Sequence, residues 1–186
     1  KTGAGTVVGT DYVAKMGGDG NTAVVGSISN IVMNPWLYKS LPYDPIKDFE
    51  PAGLVISYSY TLIGRKDLPF NTLRDLIKYA KENPGKLTYA SGGNGTGQHV
   101  LAAALWKKTG VELVHVPYRG AQLAYTDLLG GRVDLFFDIA PTARPHIESG
   151  SVKVFATSGA TRNPNLPSTP TITETGVTTL DLESWF

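Results

Sequence analysis

The feature that most constrains this sequence is a strand, turn and helix unit that recurs between residues 71 and 158. Thr72 and Asp75 read as a capping box, and Leu73, Leu76, Ile77 and Ala80 share one face of a helix that stops before Pro84-Gly85. Residues 87–90 then predict a strand, 91–97 a turn, and 98–109 a helix with Leu101, Ala104 and Leu105 facing inward. The unit repeats with a strand at 112–116, a turn at 117–120 and a helix at 121–129 closed by Gly130-Gly131. A strand at 133–137, a helix at 142–148 and a long strand at 152–158 complete the series. This alternation predicts a parallel sheet wrapped by helices, its turns gathered at the carboxyl ends of the strands. Ligands of such sheets bind at that edge.

The flanking sequence is less regular. Val7, Val8, Tyr12 and Val13 predict a helix at 5–16 ended by Gly17-Gly18-Asp19-Gly20, and residues 22–26 predict a short strand. Ser27-Ile28-Ser29-Asn30 forms a polar turn into a second short helical stretch that carries Trp36 and Tyr38. After a connector punctuated by Pro42, Pro45 and Pro51, residues 54–64 read as a strand long enough to cross between two lobes, and 152–158 as one that can return. Pro164, Pro167 and Pro170 precede a helical turn near 171–175. Trp36, Trp106 and Trp185 are expected in the core or at a lobe interface, because large aromatics bury the most area. The opening Lys1-Thr2-Gly3-Ala4-Gly5 reads like the middle of an element and Ser184-Trp185-Phe186 stops abruptly, so truncation at both ends is expected.

Composition narrows the function. With 186 residues, 41% hydrophobic and 18% charged, the chain can build one compact α/β body or two small lobes. Seventeen basic residues against sixteen acidic ones, with no basic stretch interleaved with aromatics, argue against nucleic acid as a partner. The absence of cysteine removes disulfides, thiolate metal sites and cysteine nucleophiles together. No apolar run approaches the roughly 18–20 residues of a membrane-spanning helix. His99, His115 and His146 show no metal-binding spacing, so neither a metal nor a cofactor is expected.

The segment with most chemistry is Ser91-Gly92-Gly93-Asn94-Gly95-Thr96-Gly97, which follows a strand and opens a helix. That placement gathers backbone N–H groups and the positive end of a helix dipole around one point, a setting that attracts an anion. Glycine lets a ligand approach the main chain, and the hydroxyls of Ser91 and Thr96 add donors. A capped helix start with no ligand would look the same. The turn lacks the Gly-Lys-Ser/Thr ending of a P-loop. The spacing of Gly3, Gly5 and Gly9 misses the dinucleotide fingerprint by one position. Asp138, at a strand end, can either accept hydrogen bonds from a ligand or cap the helix that follows. A Ser91, His99 and Asp138 triad is conceivable on paper, but the Gly-x-Ser-x-Gly elbow is missing, and His99 is expected to pack or cap near the helix start. Arg119 is expected to face water.

Several segments together resemble the Bug-type extracytoplasmic receptors of tripartite tricarboxylate transporters. They are the run from Leu87 to His99, His115-Val116-Pro117-Tyr118-Arg119-Gly120, and Asp127-Leu128-Leu129-Gly130-Gly131-Arg132-Val133-Asp134. Asn34-Pro35-Trp36-Leu37-Tyr38, Leu41-Pro42-Tyr43-Asp44-Pro45, and Leu166-Pro167-Ser168-Thr169-Pro170-Thr171 with Glu174 and Gly176 extend the match over essentially the whole chain in order. The resemblance implies an α/β periplasmic binding protein fold of type II, two lobes joined by two crossing strands. One lobe would be 65–152, and the other, incomplete, 1–64 with 153–186. It implies a periplasmic receptor, not an enzyme, that acts as a monomer, closes around a small organic carboxylate and delivers it to membrane permease subunits. A ligand-sensing domain of a regulatory protein is the alternative. The implied ligand contacts are Ser27 and Ser29 in one lobe and Ser91, Gly95, Thr96 and Asp138 in the other, with Tyr118 beside the cleft.

Overall fold

A computed structural model describes residues 6–18 and 20–186 of the chain. The expected helix at the start is α1, Val7–Ala14; Gly3-Ala4-Gly5 before it and Asp19 in the glycine cluster after it lie outside the described residues. A π-helical turn, Ile28–Met33, runs directly into a single α-turn, α2 (Asn34–Leu37). The strands are β1 (Ser57–Arg65), β2 (Thr88–Ser91), β3 (Val114–Pro117), β4 (Leu135–Ile139), β5 (Val152–Thr157) and β6 (Glu183–Trp185). Between them lie α3 (Leu73–Glu82), α4 (Gly97–Thr109), α5 (Ala121–Leu129) and α6 (Ala140–Glu148).

The sheet order is β3-β2-β4-β1-β5, with β6 on the outer part of β1. β2 pairs in parallel with β3 and β4, whereas β1 runs antiparallel to β4, β5 and β6. The sheet is therefore mixed, not the parallel sheet expected from the alternation. The helix α3 joins β1 to a strand that is not its neighbour, so the rule tying a helical crossover to parallel neighbours does not apply to β1.

β4 is the hub. Leu135 and Phe137 face a core built with Leu73, Leu76 and Ala80 of α3 and Leu101, Leu105 and Trp106 of α4. Phe136 points the other way, toward Ala124, Tyr125 and Leu128 of α5 and Ala143 of α6. A strand covered on both faces reads as a continuous apolar run, which is why Leu-Phe-Phe shows no alternation. Thr72 caps the start of α3 as predicted, its Oγ1 accepting from the Asp75 N–H at 3.1 Å, while its hydroxyl donates to Asp75 Oδ2 at 2.7 Å.

Three further expectations fail. Residues 22–26 form no strand, and Val25 is exposed, because no neighbouring strand among the described residues pairs with them. Residues 54–56 stay outside β1, with Val55 and Ile56 donating instead to the carbonyl of Phe186. Trp36 is 85% exposed on its single helical turn, although Trp106 is buried. Burial of large aromatics is a tendency that a one-turn element lacks the surroundings to meet. β6 has no counterpart in the sequence reading.

Candidate ligand-binding site

The Gly-rich turn leaves β2 at Ser91 and enters α4 at Gly97, with Thr96 as N-cap. Gly93 and Gly95 have φ of 126° and 78°, in the region that side chains rarely adopt. The carboxyl ends of β2 and β4 lie side by side, so Asp138 stands next to this turn.

The N–H groups of the turn carry side-chain acceptors. Gly92 donates to Gln98 Oε1 at 2.7 Å, Gly93 to Ser91 Oγ at 3.1 Å and Gly95 to His99 Nδ1 at 3.2 Å. Gly97 donates to Ser29 Oγ at 3.3 Å, which brings the π-helical turn against the α4 N-terminus. Thr96 Oγ1 donates to the Gly93 carbonyl at 2.8 Å and accepts a long bond from the His99 N–H at 3.5 Å. These four N–H groups go to four different acceptors, two hydroxyls, an amide oxygen and an imidazole.

Beneath the turn, three rings are stacked. Tyr89 and His115 are register partners on β2 and β3, with ring centroids 4.9 Å apart, and His99 lies 4.1 Å beyond His115, inclined by 16°. His115 Nε2 is 2.6 Å from Ser91 Oγ, so the partner of Ser91 is His115 and not the His99 of the notional triad. Burial holds both imidazoles below their ordinary range; for His115, with His99 beside it, the value falls to about 4. Ser91 is fully buried.

Asp138 is almost fully buried as well. It accepts from Tyr125 O–H at 2.9 Å, from Gln98 Nε2 at 3.3 Å and from the Thr142 hydroxyl. Burial raises its pKa, and these donors oppose the rise. Tyr125 is also stacked on His146, 4.2 Å away. Gln98 therefore ties the two turns together, its oxygen on Gly92 and its nitrogen on Asp138.

Ser27 is buried, and its N–H and hydroxyl both reach Asn30 Oδ1, at 2.7 and 3.0 Å. Asn30 in turn donates to Thr10 Oγ1, so Ser27 starts the π-helical turn and Ser29 is the residue of that segment that touches the Gly-rich turn. Tyr118 lies beside the turn through its backbone, whose N–H donates to the Ser91 carbonyl at 2.9 Å, while its hydroxyl donates to Asp127 on α5 at 2.8 Å. Burial and Asp127 push that phenol up to about 12. Arg119 is exposed.

Two neighbours of the turn carried no sequence signal. The Tyr60 hydroxyl abuts Gly97, where an added Cβ would lie 2.2 Å from it, and Leu37 Cδ1 would lie 2.5 Å from a Cβ on Gly95. A cavity of about 240 Å³ opens at the start of α6, among Ser57–Ser59, Ile139–Pro141 and Asn163–Asn165, and does not include the Gly-rich turn. Among the described residues, no His, Asp and Glu group can hold a metal, and no helix is long and apolar enough to cross a membrane.

A family model described as tripartite tricarboxylate transporter family receptor matches residues 1–186, the whole chain. The chain belongs to this receptor family. It is 37% identical over 186 residues to a UPF0065 protein from the tcbD-tcbE intergenic region of Pseudomonas sp. strain P51, covering all of this chain and 55% of the relative. The chain thus spans about half the length of the curated relatives it matches. Among solved structures it is similar to periplasmic binding protein BugD, with TM-score 0.93 and 37% identity over all of this chain and 62% of that one. It is also similar to Rpa4515 of R. palustris, solved with adipate, at TM-score 0.92 and 35% identity over 97% of this chain and 60% of that one. MatC of Rhodopseudomonas palustris, solved with bound malate, matches at TM-score 0.90 and 29% identity over 98% and 62%. The α/β fold is that of the periplasmic binding proteins.

Proposed function

We propose that this chain forms the greater part of a periplasmic receptor that captures a small organic carboxylate and delivers it to the permease subunits of a tripartite tricarboxylate-type transporter. The observation that carries the reading is the cluster of backbone donors at the α4 N-terminus, framed by Ser29, Ser91 and Thr96. Such a cluster balances a carboxylate without a lysine or arginine. Relatives solved with adipate and with malate support a carboxylate as the ligand class. In this reading residues 65–152 form one lobe and 1–64 with 153–186 belong to the other, with the neighbouring antiparallel strands β1 and β5 as the connections between them. The Gly97 to Ser29 bond is then a contact between lobes of the kind that favours closure. The receptor works as a monomer and makes or breaks no bond.

Titration calorimetry with adipate, malate and their diamide analogues tests this. Saturable binding of a diacid, no binding of the diamides, and a loss of about tenfold or more in Thr96→Val are expected, about 1.4 kcal/mol for the hydroxyl that holds the Gly93 carbonyl and the α4 N-terminus in place. Equal binding of acid and amide would overturn the reading. Because the Thr96 hydroxyl also caps α4, a thermal melt of Thr96→Val accompanies the titration; a bulky residue at Gly95 would displace the turn more severely, through its positive φ and Leu37.

A further inference from the structure

The bond from the Gly95 N–H to His99 Nδ1 is unusual for a helix start, because the acceptor is a titratable ring one turn into the same helix. We infer that His99 holds the place of the ligand carboxylate at Gly95, yielding that amide when the anion arrives. This rests on the receptor reading above and adds a residue that sets the affinity of the same site.

The geometry supports an acceptor that can be exchanged. A neutral imidazole that accepts at Nδ1 carries its proton on Nε2, and it leaves Gly95 with a satisfied but weakly committed donor at 3.2 Å. A carboxylate is the stronger acceptor of the two, since a charged oxygen makes a shorter and stronger bond with an amide. Once the anion takes the Gly95 N–H, Nδ1 is free to bind a proton beside a negative charge, so anion binding and proton uptake favour each other. Acid acts in the same direction, because protonated His99 can no longer accept from Gly95 and adds a positive charge to the turn.

The groups around His99 set the limits of this exchange. His115 of β3 is stacked on it at 4.1 Å, and a charge on one ring opposes a charge on the other. Tyr89 of β2 lies behind His115, and Tyr60 of β1 reaches the same helix start at Gly97. From β4, the carboxylate of Asp138 bonds the adjacent Gln98 and is itself held by Tyr125 and Thr142. The segment 28–37 brings Ile28, Ser29, Asn34 and Leu37 against the turn, none of which titrates.

Two measurements on the whole receptor test the proposal. Without added ligand, the Gly95 amide proton should shift with the titration of His99 and lose protection against solvent exchange in His99→Phe. With adipate, kept above the range in which its own carboxyls titrate, affinity should rise about threefold between about pH 7.5 and pH 6, with proton uptake seen by calorimetry in buffers of different ionisation enthalpy. His99→Phe should abolish both the proton uptake and the pH slope while binding at least as tightly at pH 7.5. Weaker binding at every pH with an unchanged slope would make His99 merely structural, and a Gly95 amide blind to His99 would overturn the proposal. Tight adipate binding without proton uptake would do the same and leave the receptor reading intact. If neither adipate nor malate binds, the receptor reading falls and this role for His99 falls with it.

Discussion

Two turns lie side by side at the carboxyl ends of β2 and β4, and they solve the same problem in opposite ways. After β2 the chain offers donors, four glycine amides spread over a loop with positive φ at Gly93 and Gly95, each met by a side-chain acceptor. At the end of β4 it offers an acceptor, the Asp138 carboxylate, buried and held by three donors from α4, α5 and α6. On the proposed exchange at Gly95, the first turn is the adaptable one. The second is fixed because leaving any of its donors unpaired in the interior is costly. A binding surface made of one yielding and one rigid turn needs a connection, and Gln98 supplies it.

The comparison is broken most directly at Asp138. Asp138→Ala should destabilise the fold by about 3 kcal/mol in urea, because buried Tyr125, half-buried Gln98 and the more exposed Thr142 lose a shared buried acceptor together. A cost below about 0.5 kcal/mol, the size of an ordinary surface change, would mean that the β4 turn is not the rigid member.

The β2 turn should show its character in acid. His115 titrates near 4 in the folded chain against an ordinary 6.5. Its contribution to stability is complete above about pH 6.5 and is lost as the pH falls toward 4, on the order of 2 kcal/mol after allowance for solvent screening. Asp138, with its raised pKa, works against this slope, since its protonated form is the one the interior prefers. His115→Asn should therefore flatten the acid limb of a stability profile measured by denaturant unfolding. An unchanged limb would assign it to other groups.

The smallest effect belongs to the connection. Gln98→Leu removes one bond to each turn and should cost about 1 kcal/mol. In combination with Asp138→Asn the losses should fall short of additive, the mark of residues in one network. Strict additivity would mean the two turns are independent.

Much of this was legible in the sequence, and the pattern of what was not is physical. From residue 71 onward the helices declare themselves through local periodicity and the Thr72 cap, and the Gly-rich turn through its place between a strand and a helix. The direction of β1 is set by distant pairing, which no local pattern carries. β6 is three residues long, too short for an alternation to register. That the turn holds a row of backbone donors could be read, but their occupation could not. His99 and Gln98 reach back over four and six positions, and Ser29 arrives from 68 residues away. Tyr60 is likewise invisible locally, yet it explains why position 97 must be glycine.

β1 has one more implication, for the order in which the molecule can assemble. Every strand it pairs with lies in the second half of the chain, at Leu135–Ile139, Val152–Thr157 and Glu183–Trp185. β2 and β3, by contrast, are joined through a single helix and can meet early. Non-local pairing pays its loop-closure entropy before any contact rewards it. The strand at the heart of the sheet is thus the one that waits, and until residues 135–157 are available it remains unpaired and exposed to other chains.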